Sequence, residues 1–187
     1  MVSNLKSLIG KFYSVLYGLK HGHNVKISPP IKIRAVKGNV VLGDNVSMSA
    51  STILLGVTPQ AKIIFGNNIR IAHHFQISCA NLVSISSDVN IAPFVFISDH
   101  NHKFEDPQIP IKDQGISLDE NASVIIGQGS WIGTKATIIG NVKIGKHCVV
   151  GANSVVTKDI PDYCVAVGSP AKVIRHYDFD SGKWIRC

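Results

Sequence analysis

The sequence predicts an all-β coil of six-residue repeats, a parallel β-helix that stacks its turns along one axis. Aliphatic residues recur every six positions in its second half: Ile126, Ile132, Ile138, Ile144, Val150 and Val156. Glycine directly follows four of these six residues. Small or branched residues stand four positions after the aliphatic ones: Ser130, Ala136, Val142, Cys148 and Ser154. A period of six fits neither a helical stripe nor a two-residue strand alternation.

The same period appears earlier in the chain. It runs through Phe65, Ile71, Ile77, Ile85, Ile91 and Ile97, and the "LGDNVS" unit at 42–47 is a rougher version. Each unit is expected to form a short strand that ends in a turn, where glycine allows a sharp corner. Three units complete one circuit of a prism, and stacked circuits bury a core that no single circuit could bury.

The two ends of the chain lose the period. Apolar residues between positions 3 and 20 have helical spacing: Leu5, Leu8, Ile9, Phe12, Leu16 and Leu19. We expect residues 1–22 to form a helical cap over the first coil, because stacked repeats need capped ends. Coils are expected at 25–97 and 124–168, and 169–187 is expected to be a tail that packs on the prism or on a partner. All 187 residues then form one domain.

A polar stretch, residues 98–123, interrupts the repeat between Ile97 and Ile126. Long loops without structure are uncommon in compact domains and are usually functional or disordered. Because closure entropy grows only with the logarithm of length, an insertion that returns in register is tolerated. His100 and His102 stand at the entrance of this loop in "DHNH". The loop is therefore the first candidate for a site.

Composition excludes several classes of protein. The net charge is +7, but lysines and arginines are spread along the chain without interleaved aromatics, which disfavours nucleic-acid binding and leaves a phosphate-bearing small ligand open. No apolar run is long enough to enter a membrane, and no secretory signal is recognisable. The four cysteines lack CxxC spacing, so we expect neither disulfides nor a zinc knuckle. We therefore expect a cytoplasmic location.

Residues 129–175, "GSWIGTKATIIGNVKIGKHCVVGANSVVTKDIPDYCVAVGSPAKVIR", together with the "DHNH" loop, resemble the hexapeptide-repeat acyltransferases. Within that family the similarity is greatest to O-acetyltransferases of galactosides, sialic acids and bacterial surface polysaccharides. The resemblance implies a left-handed parallel β-helix, a homotrimer, and acetyl-CoA bound between neighbouring prisms. It also implies a sugar or polysaccharide precursor as acceptor, and no metal.

In that family the histidine that opens the loop is the catalytic base, which implies this role for His100. A free hydroxyl is a poor nucleophile near neutral pH, and a neutral imidazole can remove its proton. Either Asp99 or Glu105 could orient the ring. His102 could contact the acceptor or the cofactor, or only fill the loop. The pair in "AHHF" at 72–75 could lie on the same prism edge, which makes His73 a candidate acceptor contact, although galactoside enzymes carry an acceptor-binding asparagine near this position.

The resemblance also supplies a set of acetyl-CoA contacts. Trp131 in "WIG" would lie beside both the thioester arm and the acceptor. Backbone contacts would come from Gly133, Thr134 and Ala152, and contacts near the nucleotide and its phosphates from Thr157, Lys158, Lys172 and Arg175. Lysine and arginine suit phosphate as a point charge and as a fork.

Other interpretations remain open at this point. Antibiotic acetyltransferases of the streptogramin or chloramphenicol type and nucleotide-sugar N-acetyltransferases share the prism. A γ-class carbonic anhydrase would use three histidines on a catalytic zinc, and His73 or His74 with His100 and His102 could supply them. A non-enzymatic β-helix scaffold leaves the "DHNH" loop without a role.

Overall fold

The computed structural model describes residue 9 and residues 12–119 and 121–187, and this part of the chain is nearly all β. Residues 12–17 are helical, and Gly18 ends the helix with a φ of +61°. A left-handed residue after the last turn is a common helix stop, and glycine adopts it without steric penalty. Strand β1 (Lys20–His21) follows at once, so the helical cap ends before the predicted boundary at residue 22. Leu5 and Leu8 of the predicted helix lie outside the described residues.

Three parallel sheets form the three faces of the prism in the described residues. Sheet 1 contains β1, β4 (Val40–Leu42), β7 (Lys62–Phe65), β10 (Leu82–Ile85), β15 (Ser123–Ile126) and β18 (Val142–Ile144). Sheet 2 contains β2 (Lys26–Ile27), β5 (Ser47–Met48), β8 (Arg70–Ile71), β11 (Asn90–Ile91), β16 (Trp131–Ile132), β19 (Val149–Val150) and β21 (Cys164–Val167). Sheet 3 contains β3 (Ile31–Arg34), β6 (Thr52–Gly56), β9 (Gln76–Cys79), β12 (Phe96–Ser98), β17 (Thr137–Ile139) and β20 (Val155–Val156).

The repeat positions form the core of the prism. Successive aliphatic positions lie on successive faces, so Ile126 is on sheet 1, Ile132 on sheet 2 and Ile138 on sheet 3. These three residues are completely buried. The small repeat positions are buried as well, among them Ser130 and Ala136. The predicted hexad pattern is therefore confirmed as the inner lining of the β-helix.

The insertion leaves the stacking intact. Strand β10 before it pairs directly with β15 after it, with Ile85 opposite Ile126. The Asn81 side chain donates a hydrogen bond of 2.8 Å to the Ala122 carbonyl and ties the returning chain to the preceding coil. Regular strands run up to Ser98 and begin again at Ser123, the two ends of the predicted loop.

The insertion has structure of its own. Strand β13 (Asn101–His102) pairs antiparallel with β14 (Ile116–Ser117), and a 3₁₀ turn covers Ile111–Asp113. This short ribbon holds the two ends of the loop together next to the prism. The residues between the two strands are almost all exposed.

The tail folds back as a hairpin on the prism. Strand β22 (Lys172–Asp178) pairs antiparallel with β21, and β23 (Lys183–Arg186) pairs antiparallel with β22. Sheet 2 therefore gains two antiparallel strands at its C-terminal end. Of the two predicted outcomes for the tail, packing on its own prism occurs.

A ladder of polar side chains runs along the corner between sheets 1 and 2. The Asn24 amide donates to Asn45, Asn45 to Asn68, and Asn68 to Asp88, over 2.8 to 3.0 Å. All four residues have φ between 54° and 63°, a region that asparagine and aspartate tolerate better than most residues. The same corner is therefore repeated, coil after coil, beside sheet 2.

Candidate active site

His100 and Asp99 form a buried pair where β12 ends and the loop begins. The His100 Nδ1 atom lies 2.9 Å from Asp99 Oδ1, and the imidazole is only 8% exposed. Since a carboxylate only accepts, Nδ1 carries the proton in this bond and Nε2 is left with the lone pair. The ring is therefore held in the tautomer that can accept a proton at Nε2.

Three backbone N–H groups hold the Asp99 carboxylate in place. Ala80 donates to Oδ1 at 2.7 Å, and Asn81 and Leu82 donate to Oδ2 at 2.7 and 2.8 Å. Ala80 and Asn81 lie in the turn between β9 and β10, and Leu82 is the first residue of β10, one coil before Asp99. The buried carboxylate is thus fully hydrogen-bonded without a cationic side chain.

The surroundings of Asp99 favour its charged form. Burial alone would raise its pKa, but the bonds from His100 and from the backbone of Ala80, Asn81 and Leu82 bring the pKa below the ordinary value of 3.8. The neighbouring Cys79 thiol responds in the opposite direction, because burial and the Asp99 charge raise its pKa. Asp99 is therefore an anion at neutral pH, next to an inert thiol.

A cavity of about 180 Å³ opens at His100. It is lined by Ser78, Phe96, Ser98, His100, Asn101, His102 and Ile139. The Ser78 hydroxyl lies 3.5 Å from His100 Nε2. The Ser98 hydroxyl donates to the His100 carbonyl at 2.8 Å and fixes the backbone there. The cavity has room for a small polar group beside the imidazole.

The other residues of the loop entrance separate into two groups. His102 is exposed on β13 and lines the same cavity as His100. Glu105 accepts a hydrogen bond from the Phe104 N–H and is exposed, and no bond from it to His100 occurs among the described residues. Of the two predicted orienting carboxylates, Asp99 is the one that contacts the imidazole.

His73 and His74 lie at the corner between sheets 2 and 3, before β9. Their Nδ1 atoms are 2.8 Å apart, and the His74 ring stacks on Phe94 with a centroid distance of 4.7 Å. Neither residue lines the His100 cavity. Within one chain the predicted acceptor residue His73 is therefore separate from His100.

Trp131 lies on the outward face of sheet 2 and is 50% exposed. Its strand pairs with β11 on one side and β19 on the other, so it stands opposite Asn90 and Val149. His100, in contrast, follows the last residue of a sheet 3 strand by two positions. The two residues belong to different faces of the same prism.

The predicted acetyl-CoA contacts fall into three places. Gly133, Thr134 and Ala152 lie on successive coils at the corner between sheets 2 and 3, where the Asn153 N–H donates to the Thr134 carbonyl at 2.9 Å. Thr157 and Lys158 are exposed just after β20. Since β20 is two strands from β12, they lie about 10 Å along the prism from the end of β12.

Lys172 and Arg175 lie farther away, on β22 of the tail hairpin. Both are exposed, and Arg175 stands opposite Val165 of β21. Their side chains form no ion pair within the described part of the chain. Both cations are therefore open to an anionic ligand at the C-terminal end of sheet 2.

No group of three or more histidine, cysteine, aspartate or glutamate side chains is placed to hold a metal ion in residues 9, 12–119 and 121–187. Over the same residues, no helix has the length and apolar character needed to cross a membrane.

Comparison with known proteins identifies the family. The family described as bacterial transferase hexapeptide (six repeats) matches residues 123–158. WbbJ of Escherichia coli K12, named for O-acetyl transfer in lipopolysaccharide biosynthesis, is 34% identical over 151 residues, 79% of this chain and 76% of that protein. The chain belongs to the hexapeptide-repeat acyltransferase family. The galactoside O-acetyltransferase of the same bacterium is 36% identical over 143 residues, 68% of this chain and 66% of that protein.

Solved structures confirm the fold of this hexapeptide acyltransferase. A variant of AntD, an N-acyltransferase from Bacillus cereus in complex with dTDP and coenzyme A, superposes with a TM-score of 0.74 at 25% identity, over 89% of this chain and 88% of that chain. The hexapeptide-repeat acetyltransferase VCA0836 from Vibrio cholerae shares the fold, with a TM-score of 0.61 at 22% identity, over 92% and 81% of the two chains. The left-handed parallel β-helix predicted from the sequence is confirmed, and the protein is an acetyltransferase.

The sequence did not single out the groups that surround His100. Ser78 and the Ala80–Leu82 turn lie about twenty residues before it, in a stretch without a recognisable motif. A repeat of about twenty residues per coil was the available signal, because it places the end of β9 directly beside the end of β12. These residues could have been predicted from the strand register, but not from a sequence motif.

Proposed function

We propose that this acetyltransferase moves the acetyl group of acetyl-CoA to a hydroxyl of a sugar or surface-polysaccharide precursor. The observation that carries the proposal is the buried Asp99–His100 pair, whose Nε2 faces a cavity of a size that admits part of a sugar. The O-acetyltransferase relatives support the acceptor class. His100 is the general base of the proposed reaction.

In this reaction His100 Nε2 takes the proton of the acceptor hydroxyl while the hydroxyl oxygen attacks the thioester carbonyl. A C–O bond forms and the carbonyl oxygen carries the negative charge of the tetrahedral intermediate. When that charge returns, the C–S bond breaks, and Nε2 gives its proton to the departing thiolate. Asp99 stays charged throughout, holds Nδ1–H, and stabilises the imidazolium between the two transfers.

Acetyl-CoA fits the C-terminal half of the prism in this proposal. Thr157 and Lys158 follow β20, which lies two strands beyond β12 in sheet 3, on the C-terminal side of His100. The corner with Gly133, Thr134 and Ala152 offers backbone groups to the pantetheine arm. Lys172 and Arg175 would meet the phosphates, since each is an exposed cation without an ion pair to the described residues.

We further propose that the enzyme works as a homotrimer. His100 and Trp131 lie on different faces of one prism, so a site that uses both needs two chains. Three copies around an axis parallel to the prism would set sheet 2 of one chain against the loop entrance of the next. The partner subunit's Trp131 would then cover the thioester beside His100. All four cysteines are free, which supports a cytoplasmic location.

N-acyl transfer to an amino sugar on a nucleotide is the second candidate. The structural similarity to AntD, solved with dTDP-4-amino-4,6-dideoxyglucose and coenzyme A in one of its complexes, favours it, at a TM-score of 0.74 and 25% identity. The same base and donor site would serve an amine. The acceptor atom distinguishes the two candidates.

The test is a screen of acceptors with acetyl-CoA in which released thiol is measured. The panel contains free sugars, nucleotide sugars with hydroxyl or amino groups, chloramphenicol and a streptogramin. We expect acetylation of a sugar hydroxyl, verified by mass and by NMR of the product. Turnover of the antibiotics or of the amino sugars alone would contradict O-acetylation of sugars.

A further inference from the structure

A column of outward-facing side chains runs straight along sheet 2. The strand register sets Lys26 opposite Ser47, Ser47 opposite Arg70, Arg70 opposite Asn90, and Asn90 opposite Trp131. Neighbouring members are therefore about 4.8 Å apart along the prism. An aromatic side chain at one end is followed by amide, guanidinium, hydroxyl and ammonium groups.

An open groove of about 430 Å³ follows the polar part of this column. Lys26, Ser47, Arg70 and Asn90 line it, and side chains of the corner ladder, among them Asn45, form one wall. Amides and hydroxyls at this density match the hydroxyl groups of a saccharide. Most of the side chains that line the groove are polar, unlike those of a pocket for an apolar antibiotic.

Neither cation of the groove has a partner within the described residues. Lys26 and Arg70 form no side-chain hydrogen bond and no ion pair there. Asp88 is the acidic residue beside Arg70, and its two oxygens accept amide N–H groups from Asn68 and Gln128. Two such cations about two strands apart, roughly 10 Å, suit an extended anionic ligand.

The position of the groove relative to His100 indicates which substrate the groove would bind. In a trimer around an axis parallel to the prism, corresponding coils of the three chains lie at the same height. His100 follows β12, so it would lie level with β11 of the neighbouring chain, the sheet 2 strand of the same coil. Trp131 lies one coil toward the C-terminal end, on the side of the acetyl-CoA contacts. Arg70 and Lys26 lie one and three coils toward the opposite end. The donor and the groove thus approach Nε2 from opposite directions.

We infer that this groove binds the acceptor, and that the acceptor is an anionic saccharide whose phosphate or carboxylate contacts Arg70 and Lys26. The inference rests on the proposed function, since it names the substrate class of that site. The sugar ring would lie near Asn90 and Trp131, with its reacting hydroxyl at His100 of the adjoining chain. The cations select the charged acceptor over its neutral counterpart.

The kinetic test compares each hexose of a panel in four forms: free sugar, 1-phosphate, nucleoside-diphosphate ester and uronic acid. Arg70→Gln should raise KM for the preferred charged form about tenfold or more and keep kcat within about twofold of wild type. The KM for the free sugar should stay the same. Lys62→Gln on sheet 1 removes an exposed charge outside the groove and should change KM neither for the charged form nor for the free sugar. The preferred form separates phosphate from carboxylate as the recognised anion.

Equal KM for the free sugar and all charged forms in the wild-type enzyme would overturn the inference. So would equal effects of Arg70→Gln and Lys62→Gln. Arg70→Lys, which keeps the charge, should recover most of the affinity and excludes a folding defect as the cause of the Arg70→Gln effect.

A binding measurement keeps this test separate from the proposed activity. Calorimetric titration with a hexose 1-phosphate and with a hexuronate, at saturating coenzyme A to occupy the donor site, should show binding that Arg70→Gln weakens about tenfold or more and Lys62→Gln retains. Binding without any acetyl transfer would support the groove and contradict the proposed function. Acetyl transfer to neutral sugars, without binding of the phosphate or uronate, would support the proposed function and contradict the groove as an anion-binding site.

Discussion

His100 Nδ1 lies 2.9 Å from Asp99 Oδ1, and both side chains are almost completely withdrawn from solvent. Adjacent residues achieve this because β12 ends at Ser98 and the chain turns out of the prism there. The Asp99 side chain points into the turn of the coil before it, and the imidazole lies over the cavity. One corner thus anchors a carboxylate and presents a base.

Asp99→Asn should lower kcat more than KM. The amide keeps the shape of the side chain but loses the charge that stabilises an imidazolium, and its NH₂ would face N–H donors from Ala80 or from Asn81 and Leu82. We expect a loss in kcat of roughly 10²-fold or more, by analogy with general-base contributions. Steady-state kinetics with acetyl-CoA and the best acceptor measure it, and Asp113→Asn in the exposed loop is the control. A change confined to KM would contradict a role in base catalysis.

Stability should depend on pH through Asp99. Its folded-state pKa lies below the ordinary 3.8, so the stabilisation that it contributes is complete above that value and is lost as pH falls through the folded-state pKa. Urea unfolding of wild type and Asp99→Asn from pH 7 to about pH 2 measures the difference. The stability gap between the two proteins should narrow only below about pH 4. A gap that narrows between pH 7 and pH 5 would point to another group.

Gly127→Ala should destabilise the stack of coils. A Cβ at Gly127 would run into the backbone of Gly145 and Lys146, which cannot move without disturbing the next coil. We expect a loss of about 2 kcal/mol or more in the free energy of unfolding. Gly115→Ala in the loop is the matched control, because nothing lies within 4 Å and only its φ of +82° opposes alanine. The prediction is wrong if Gly115→Ala is as costly as Gly127→Ala.

Activity should return when two inactive chains are mixed. In the proposed homotrimer, His100→Ala removes the proposed base from one face and Trp131→Ala removes the aromatic surface from another, so each variant would lack one half of every site. If the proposed trimer forms, co-expression of the two variants gives trimers in which some sites combine an intact His100 with the partner subunit's intact Trp131. We expect at least a several-fold gain in kcat over either variant alone. If mixed and separate variants are equally slow, both residues do not act across an interface.

Much of the fold was available from the sequence, since the core depends on local spacing. Each hexad places one aliphatic residue inside and one turn at a corner, so Ile126 and Ile132 could be assigned to the core from spacing alone. The long insertion could be recognised by the failure of that spacing. Its β13–β14 ribbon could not, because two-residue strands leave no periodic signal.

The candidate site was accessible only in part. His100 stood out by its motif, but the choice between Asp99 and Glu105 depends on where the 80–82 turn stacks, one coil earlier. The groove on sheet 2 depends on register in the same way. Lys26 and Arg70 are far apart in sequence and carry no motif, and only the pairing of β2, β5 and β8 sets them in one column.

Thiol release from acetyl-CoA by His100→Ala, in the presence of the best acceptor, directly tests whether His100 is the general base. If it is, the kcat of this variant should be lower than wild type by roughly 10²- to 10⁴-fold. His21→Ala, which removes an exposed imidazole on β1, is predicted to keep wild-type activity. A kcat of His100→Ala within about twofold of wild type would show that His100 is not the base.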